Sequence, residues 1–309
     1  MDSLIVSNTS KAWHQGAMLF ALCSAMLMGT IGALAQASML DATTVTFYRL
    51  LIGALCLLTY MVITGKHRQI LHRPSKQNVI NGAMLAGFMA FYVEAINYIN
   101  MANAVMVIYL APLFTAVAAH FLFAEKLNKF TLAAIVIALI GVVFILPNLS
   151  SLTADPQQWH GYGFALLTLL TYSGFMLVNR RPIPCTPYQS TLVQLTIGAG
   201  CLLPFALNQE VTPTTVQWGW LLLIGLLPGF LAILLAVKAL RELPAATFGT
   251  LAYMEPVTVV LLGWTLFSQY LTVDQLVGCA LILIAGIIQT RYSLKHHVDV
   301  VTPSHRKHV

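Results

Sequence analysis

Four ionisable side chains interrupt long apolar runs in this sequence: Arg49, Glu94, Lys238 and Glu255. Inside a bilayer such a group costs at least a few kcal/mol unless it is paired or wetted, so each marks a candidate site. Two are basic and two acidic, which allows mutual compensation. Arg49 and Glu94 are expected at similar depths on successive segments, about 9 Å from one membrane surface at the helical rise. They are close enough to meet. One reading is a guanidinium that takes a substrate carboxylate, with Glu94 releasing it or accepting a proton in exchange. The other is a structural ion pair without substrate contact.

Glu255 stands directly before Pro256. Proline withdraws a backbone hydrogen bond, kinks a helix and frees a carbonyl about one turn back. A protonated Glu255 could donate to that carbonyl, whereas an ionised one needs Lys238, Arg49 or water. It serves either as a coupling group or as a fixed polar pivot. Lys238 lies near the end of its apolar run, where it can snorkel to the interface. The neutral candidates are of two kinds. Pro112, Pro256 and the Gly225-Leu-Leu-Pro228-Gly229 stretch are hinge or packing positions. Tyr92, Asn97, Tyr98, Asn103, Tyr109, Tyr253 and Trp264 could supply an amphipathic lining for a small organic molecule.

Other chemistry is poorly represented. No Walker-type loop is present, which argues against ATP as an energy source. His296, His297, His305 and His308 are a loose tail cluster, and His120 reads as a packed residue before a proton relay. No cofactor or metal is expected. The cysteines at 23, 56, 201 and 279 fall in apolar runs and read as small apolar residues.

The elements that must position these groups follow from composition. The 309 residues are 58% hydrophobic and 8% charged, where a soluble chain carries roughly a quarter charged residues. Disorder is excluded on the same figures, and a disulfide-stapled secreted domain is excluded because five cysteines over this length make no framework. The sequence predicts an all-α integral membrane protein, because a spanning helix needs ~20 apolar residues and such runs occur at about 13–36, 43–63, 79–99, 103–123, 129–147, 160–179, 188–207, 217–239, 244–267 and 272–291. The first run, with Lys11 before it and Ala33-Leu34-Ala35 near its end, imitates a signal peptide. It is too long for one, and its opening Trp13-His14 recurs at Trp159-His160. With the N-terminus inside, 14 of the 16 Lys and Arg fall on the cytoplasmic side, while Asp41, Asp155, Glu210 and Asp274 fall outside. Both termini are therefore expected in the cytoplasm, and the +6 charge reads as a topology signal with nucleic acid excluded as a partner.

The chain is also a duplication. Residues 49–58, RLLIGALCLL, match 194–203, QLTIGAGCLL, at seven of ten positions, and Tyr109-Leu-Ala-Pro112 aligns with Tyr253-Met-Glu-Pro256. At that spacing Lys238 is the counterpart of Glu94, which puts the two at opposite ends of one pathway. Five spans per half is odd, so the halves must insert upside down relative to each other. The predicted fold is ten transmembrane helices in two inverted five-helix repeats: an N-terminal segment 1–12, repeats over 13–147 and 160–291 around an outer loop 148–159, and a tail 292–309. Inverted repeats with a site at their interface are an architecture of secondary carriers.

The chain resembles the drug/metabolite transporter superfamily, specifically its EamA-type members. The marks are Arg49, Ala95-Ile-Asn-Tyr98, Tyr109-Leu-Ala-Pro112, Phe123-Ala-Glu125-Lys126-Leu127, Ala239-Leu-Arg241, Pro244-Ala-Ala, Glu255-Pro256, and Gly278 and Gly286. In the second half Gln269-Tyr270 replaces Glu125-Lys126. The resemblance implies a pathway lined by helices 1–4 and 6–9, with 5 and 10 peripheral, in the inner membrane. It also implies a small-molecule substrate, such as an amino acid or related zwitterion or amine, moved by alternating access and coupled or not to protons. Export is the direction it implies, with an uptake carrier or exchanger as the alternative. An intramembrane enzyme or a passive channel are the readings from other classes. Oligomeric state is not legible.

Overall fold

The computed structural model describes residues 2–66, 68–69, 74–99, 104, 107–125, 128–145, 156–181, 185–207, 212–268 and 272–301. Their regular structure is helical throughout. In chain order the helices are α1 (Asp2–Ser38), α2 (Ala42–Ile63), α3 (Lys76–Ala95), α4 (Ala111–Phe123), α5 (Lys129–Ile145), α6 (Pro156–Arg180) and α7 (Pro187–Leu207). Then come α8 (Thr215–Ile224), a π-helical segment (Gly225–Leu231), α9 (Ala232–Glu242), α10 (Ala245–Ala252), α11 (Met254–Phe267) and α12 (Val273–Val301). Starts are written locally. Asp41 and Ser75 accept from Thr44 N and Asn78 N at the heads of α2 and α3, and Thr214 with Gln217 forms a reciprocal capping box at α8.

Among the described residues seven stretches are long and apolar enough to cross a membrane: Gln15–Ser38, Ala42–Ile63, Gln158–Arg180, Pro187–Leu207, Thr215–Glu242, Ala245–Leu266 and Val273–Tyr292. Three of the ten expected spans, at 79–99, 103–123 and 129–147, are not among them. Helix α3 is diluted by Lys76, Gln77, Asn78, Asn81 and Glu94; α4 is one part of an interrupted helix; and α5 is 17 residues long.

The duplication is visible in the backbone. A turn at Tyr109–Leu110 precedes α4 and a turn at Tyr253 precedes α11, each just N-terminal to a proline. Each helix is set off from its turn by the missing proline N–H, which cannot bond the preceding turn. Both helices end on a non-glycine residue in the left-handed region, Ala124 at φ 54° and Ser268 at φ 52°. Packing exchanges in the same way. Helix α1 lies on α9 and α11, as α6 lies on α3 and α4; α2 packs on the π segment as α7 packs on α3. The pairs α2 with α7 and α5 with α12 join equivalent elements, and α4 packs on α10.

Two apolar clusters hold the bundle. Leu50, Leu57, Met61, Leu195, Ile233 and Leu240 unite α2, α7 and α9, while Ala134, Ala138, Val142, Val257, Ile282 and Ala285 unite α5, α11 and α12. The exterior is apolar too: Phe121, Phe205, Leu266 and Ile287 are exposed. A lipid-facing surface requires this, since lipid offers no penalty to such residues.

Candidate functional site

The site is built around a helix that is wound too widely. Pro228 has no N–H to give, and the segment around it opens to the π pattern: Ala232 N–H donates to Leu227 O, where an α-helix would use Pro228 O. The released Pro228 carbonyl is taken by Arg49 of α2, whose Nε and Nη2 donate to it at 3.2 and 3.1 Å. Nη2 also lies 2.7 Å from Met28 Sδ of α1. Arg49 is only 8% exposed. Close approach of the two helices depends on Gly225 and Gly229. A Cβ at Gly225 would lie 2.5 Å from Ile52 Cβ, and one at Gly229 would collide with the Arg49 carbonyl oxygen. The segment is thus both a packing contact and a break. Gln194, the equivalent of Arg49 in α7, donates instead to Asn179 Oδ1 and Ser190 Oγ at 2.9 and 3.0 Å.

Glu255 occupies the first turn of α11, immediately after the break at Tyr253. It is half-buried. Arg49 is the opposite charge that acts on it, across space rather than in contact, and Tyr172, Tyr109 and Tyr92 lie within electrostatic reach of the same carboxylate. Among the described residues Glu255 forms no ion pair; the one such pair is Arg180 with Glu125. Tyr253 is buried, and its hydroxyl donates to Tyr109 O at 2.7 Å. This bond joins the two helix breaks to each other and satisfies a carbonyl that the turn exposes.

The expected meeting of Arg49 with Glu94 does not occur. Helix α3 packs on α6 and α7, so the Arg49 fork turns to the π segment, while Glu94 sits in the last turn of α3 and accepts from Asn97 Nδ2 at 3.3 Å. Asn97 and Tyr98 are exposed there, with Tyr98 stacked on Phe164 at 6.0 Å. Trp264 is 52% exposed on α11 and is turned away from the interior. Lys238 does not snorkel free: its Nζ donates to Tyr188 Oη at 3.2 Å. Asn103 lies outside the described residues. The structure therefore brings together Arg49, Glu255, Tyr92, Tyr109, Tyr253, Pro228 and Gly229, and sets Glu94, Asn97, Tyr98, Trp264 and Lys238 elsewhere. Met28 and Tyr172 join the group without having been expected. Tyr172, stacked on Phe88 at 4.6 Å, carried the signal of a hydroxyl in mid-span.

A second polar junction ties the two halves at one end. Glu125 follows the left-handed Ala124; its Oε1 pairs with Arg180 Nε at 2.7 Å and its Oε2 accepts from Ala245 N at 3.0 Å. Pro244, at the head of α10, provides no side-chain cap, so a carboxylate from the first half caps a helix of the second. The counterpart Gln269 is uncharged.

Comparisons with known proteins bear on the family and the fold. The model of the EamA-like transporter family matches twice, at residues 15–146 and 159–290. A relative from Archaeoglobus fulgidus named an uncharacterized transporter is 28% identical over 86% of this chain and 92% of its own length. An S-adenosylmethionine uptake transporter of Rickettsia bellii is 22% identical, over 80% and 83%. The pseudopaline exporter of Pseudomonas aeruginosa is also 22% identical, over 89% and 95%. One crystal structure shares the fold at a TM-score of 0.83 and 20% identity, covering 91% of this chain and 99% of that one. With both halves matched, the chain belongs to the EamA-like transporter family and is a multi-pass membrane transporter.

Proposed function

We propose that the chain is a secondary carrier that moves a small amino acid, related zwitterion or amine through the space between its two halves. Ten spans in two inverted repeats carry it. The interrupted fourth helix, α3 and α5 complete the count, and the basic-residue asymmetry puts both termini on the cytoplasmic side of the inner membrane. The observation that carries the reading is the unequal state of the two interior charges. Arg49 is anchored on an opened helix, whereas Glu255 heads a broken helix with no ion-pair partner among the described residues. A carboxylate held in this way can receive a substrate ammonium or a proton, and the remaining guanidinium N–H groups can receive a carboxylate. Tyr92, Tyr109 and Tyr172 supply the flanking rings.

Glu255 is the coupling group in this reading, with Glu94 outside the exchange. Direction is export; the relatives named for pseudopaline export and S-adenosylmethionine uptake keep an uptake carrier or exchanger as the second reading. The test uses proteoliposomes loaded with pooled radiolabelled amino acids and small amines, with and without an imposed pH gradient. Saturable efflux driven uphill by the gradient, uncoupled by Glu255→Gln and retained by Glu94→Gln, is expected. Non-saturating flux would make the protein a channel. Saturable flux that ignores the gradient would remove the proton and leave the carrier.

A further inference from the structure

Away from the interior charges, two lysines converge on one aromatic ring at the end of the bundle formed by α1, α2, α7 and α9. Lys66, just past α2, has its Nζ 4.0 Å from the centroid of Tyr188, and Lys238 of α9 has its Nζ 4.7 Å from the same centroid. Lys238 Nζ donates to the Tyr188 hydroxyl, and Lys66 Nζ lies 3.4 Å from the Tyr60 hydroxyl. Tyr60 and Tyr188 are stacked at 5.7 Å, and Phe20 of α1 closes the side, 5.5 Å from Lys238 Nζ. All but Phe20 are half-buried.

Like charges gathered in this way need a counter-ion, and the described residues do not furnish one. Residues 64–78 and 180–190 contain no Asp or Glu. Glu242, one turn beyond Lys238, is exposed, and among the described residues neither lysine is within ion-pair distance of a carboxylate. Hydrogen-bond bookkeeping is equally one-sided. Each ammonium has three N–H groups and each phenol one O–H, while the phenolic oxygens are the only side-chain acceptors in the cluster. The Tyr188 oxygen is already faced by Lys66, Lys238 and Tyr60. Ring faces shield the cations without neutralising them. What is missing is an acceptor with negative charge.

We propose that Lys66, Lys238, Tyr60 and Tyr188 form a binding site for an oxyanion, a carboxylate or a phosphate, separate from the Arg49–Glu255 interior. The ammonium groups and hydroxyls hold the anionic head, and the rings of Tyr60, Tyr188 and Phe20 cover an apolar body. The anion comes either from a soluble metabolite or from an acidic lipid headgroup, and the experiment separates the two. The full chain in phosphatidylcholine nanodiscs is titrated with citrate and with inorganic phosphate at constant ionic strength, following the thermal midpoint. In parallel, nanodiscs containing phosphatidylglycerol are used, and lipid retained after transfer to detergent is read by native mass spectrometry.

A saturable rise of the midpoint with a soluble anion is expected, with affinity weakened roughly tenfold by Lys66→Gln or Lys238→Gln and preserved by Lys66→Arg and Lys238→Arg. Retention of phosphatidylglycerol by the wild type and its loss in the Gln variants, without a soluble-anion response, assigns the same site to lipid. Equal behaviour of the wild type, both Gln variants and Tyr188→Phe in both arms overturns the proposal. The readout is binding alone, so it stands or falls independently of the cargo reading.

Discussion

Replacing Arg49 by Met keeps the length and apolar stem of the side chain and removes the fork that holds Pro228 O. Two opposing effects decide the outcome. The fork makes two hydrogen bonds to one buried carbonyl, at 3.2 and 3.1 Å; a bond from a charged donor contributes ~1.5–3 kcal/mol, and an orphaned buried carbonyl costs about 1–3 kcal/mol. Against this, removing a buried cation recovers part of a desolvation cost of several kcal/mol. Glu255, whose nearby opposite charge is Arg49, then loses that support as well. Because the two bonds share one acceptor, they count as little more than one, and the balance is a loss of about 2–3 kcal/mol. At about 2 °C per kcal/mol for a chain of this length, Arg49→Met lowers the thermal midpoint by about 5 °C. Arg49→Lys, with a single donor nitrogen in place of the fork and its charge kept, falls between. The assay is thermal unfolding of purified protein, paired with transport in liposomes. An Arg49→Met protein as stable as the wild type but unable to transport would refute the clamp and leave Arg49 as a substrate ligand only.

Other outcomes follow from named contacts. Glu125→Ala removes both the Arg180 pair and the cap on Ala245; a loss of about 2–3 kcal/mol is expected, with faster hydrogen exchange at the start of α10, and unchanged exchange there would remove the cap from the argument. Gly229→Ala forces α2 off the π segment and costs about 1–3 kcal/mol, whereas Gly32→Ala, with open space around it, is neutral in the same thermal assay. Tyr253→Phe leaves Tyr109 O without its side-chain donor and lowers stability by about 1–2 kcal/mol, measured against Tyr109→Phe as the control that spares this bond.

Much of the frame was legible because lipid imposes it. Apolar runs gave the helices, and the matching Tyr-x-x-Pro stretches gave the two breaks at equivalent positions, since proline acts locally wherever it falls. The partner of Arg49 was not legible. It depends on a carbonyl released by non-α winding in the π segment that follows α8, six helices downstream, and no local pattern reports which N–H a carbonyl has lost. Depth along the membrane suggested Glu94, but depth says nothing of the direction around a helix axis, and α3 turns that residue to its own C-terminal end. Tyr172 and Trp264 show the same limit from opposite sides. Each is an aromatic in an apolar run, and only the packing of neighbours separates the ring that faces the interior from the ring that faces lipid.

The hydroxyl of Tyr253 reaches the carbonyl of Tyr109, and each residue is the repeat counterpart of the other. A contact between counterparts lies on the axis that interchanges the two halves, and on such an axis a donor–acceptor bond cannot be its own image. Either tyrosine has the chemistry to give and either has the carbonyl to receive, yet one arrangement is made. The duplicated sequence is therefore degenerate at its centre, and the folded chain has lifted that degeneracy with a single hydrogen atom.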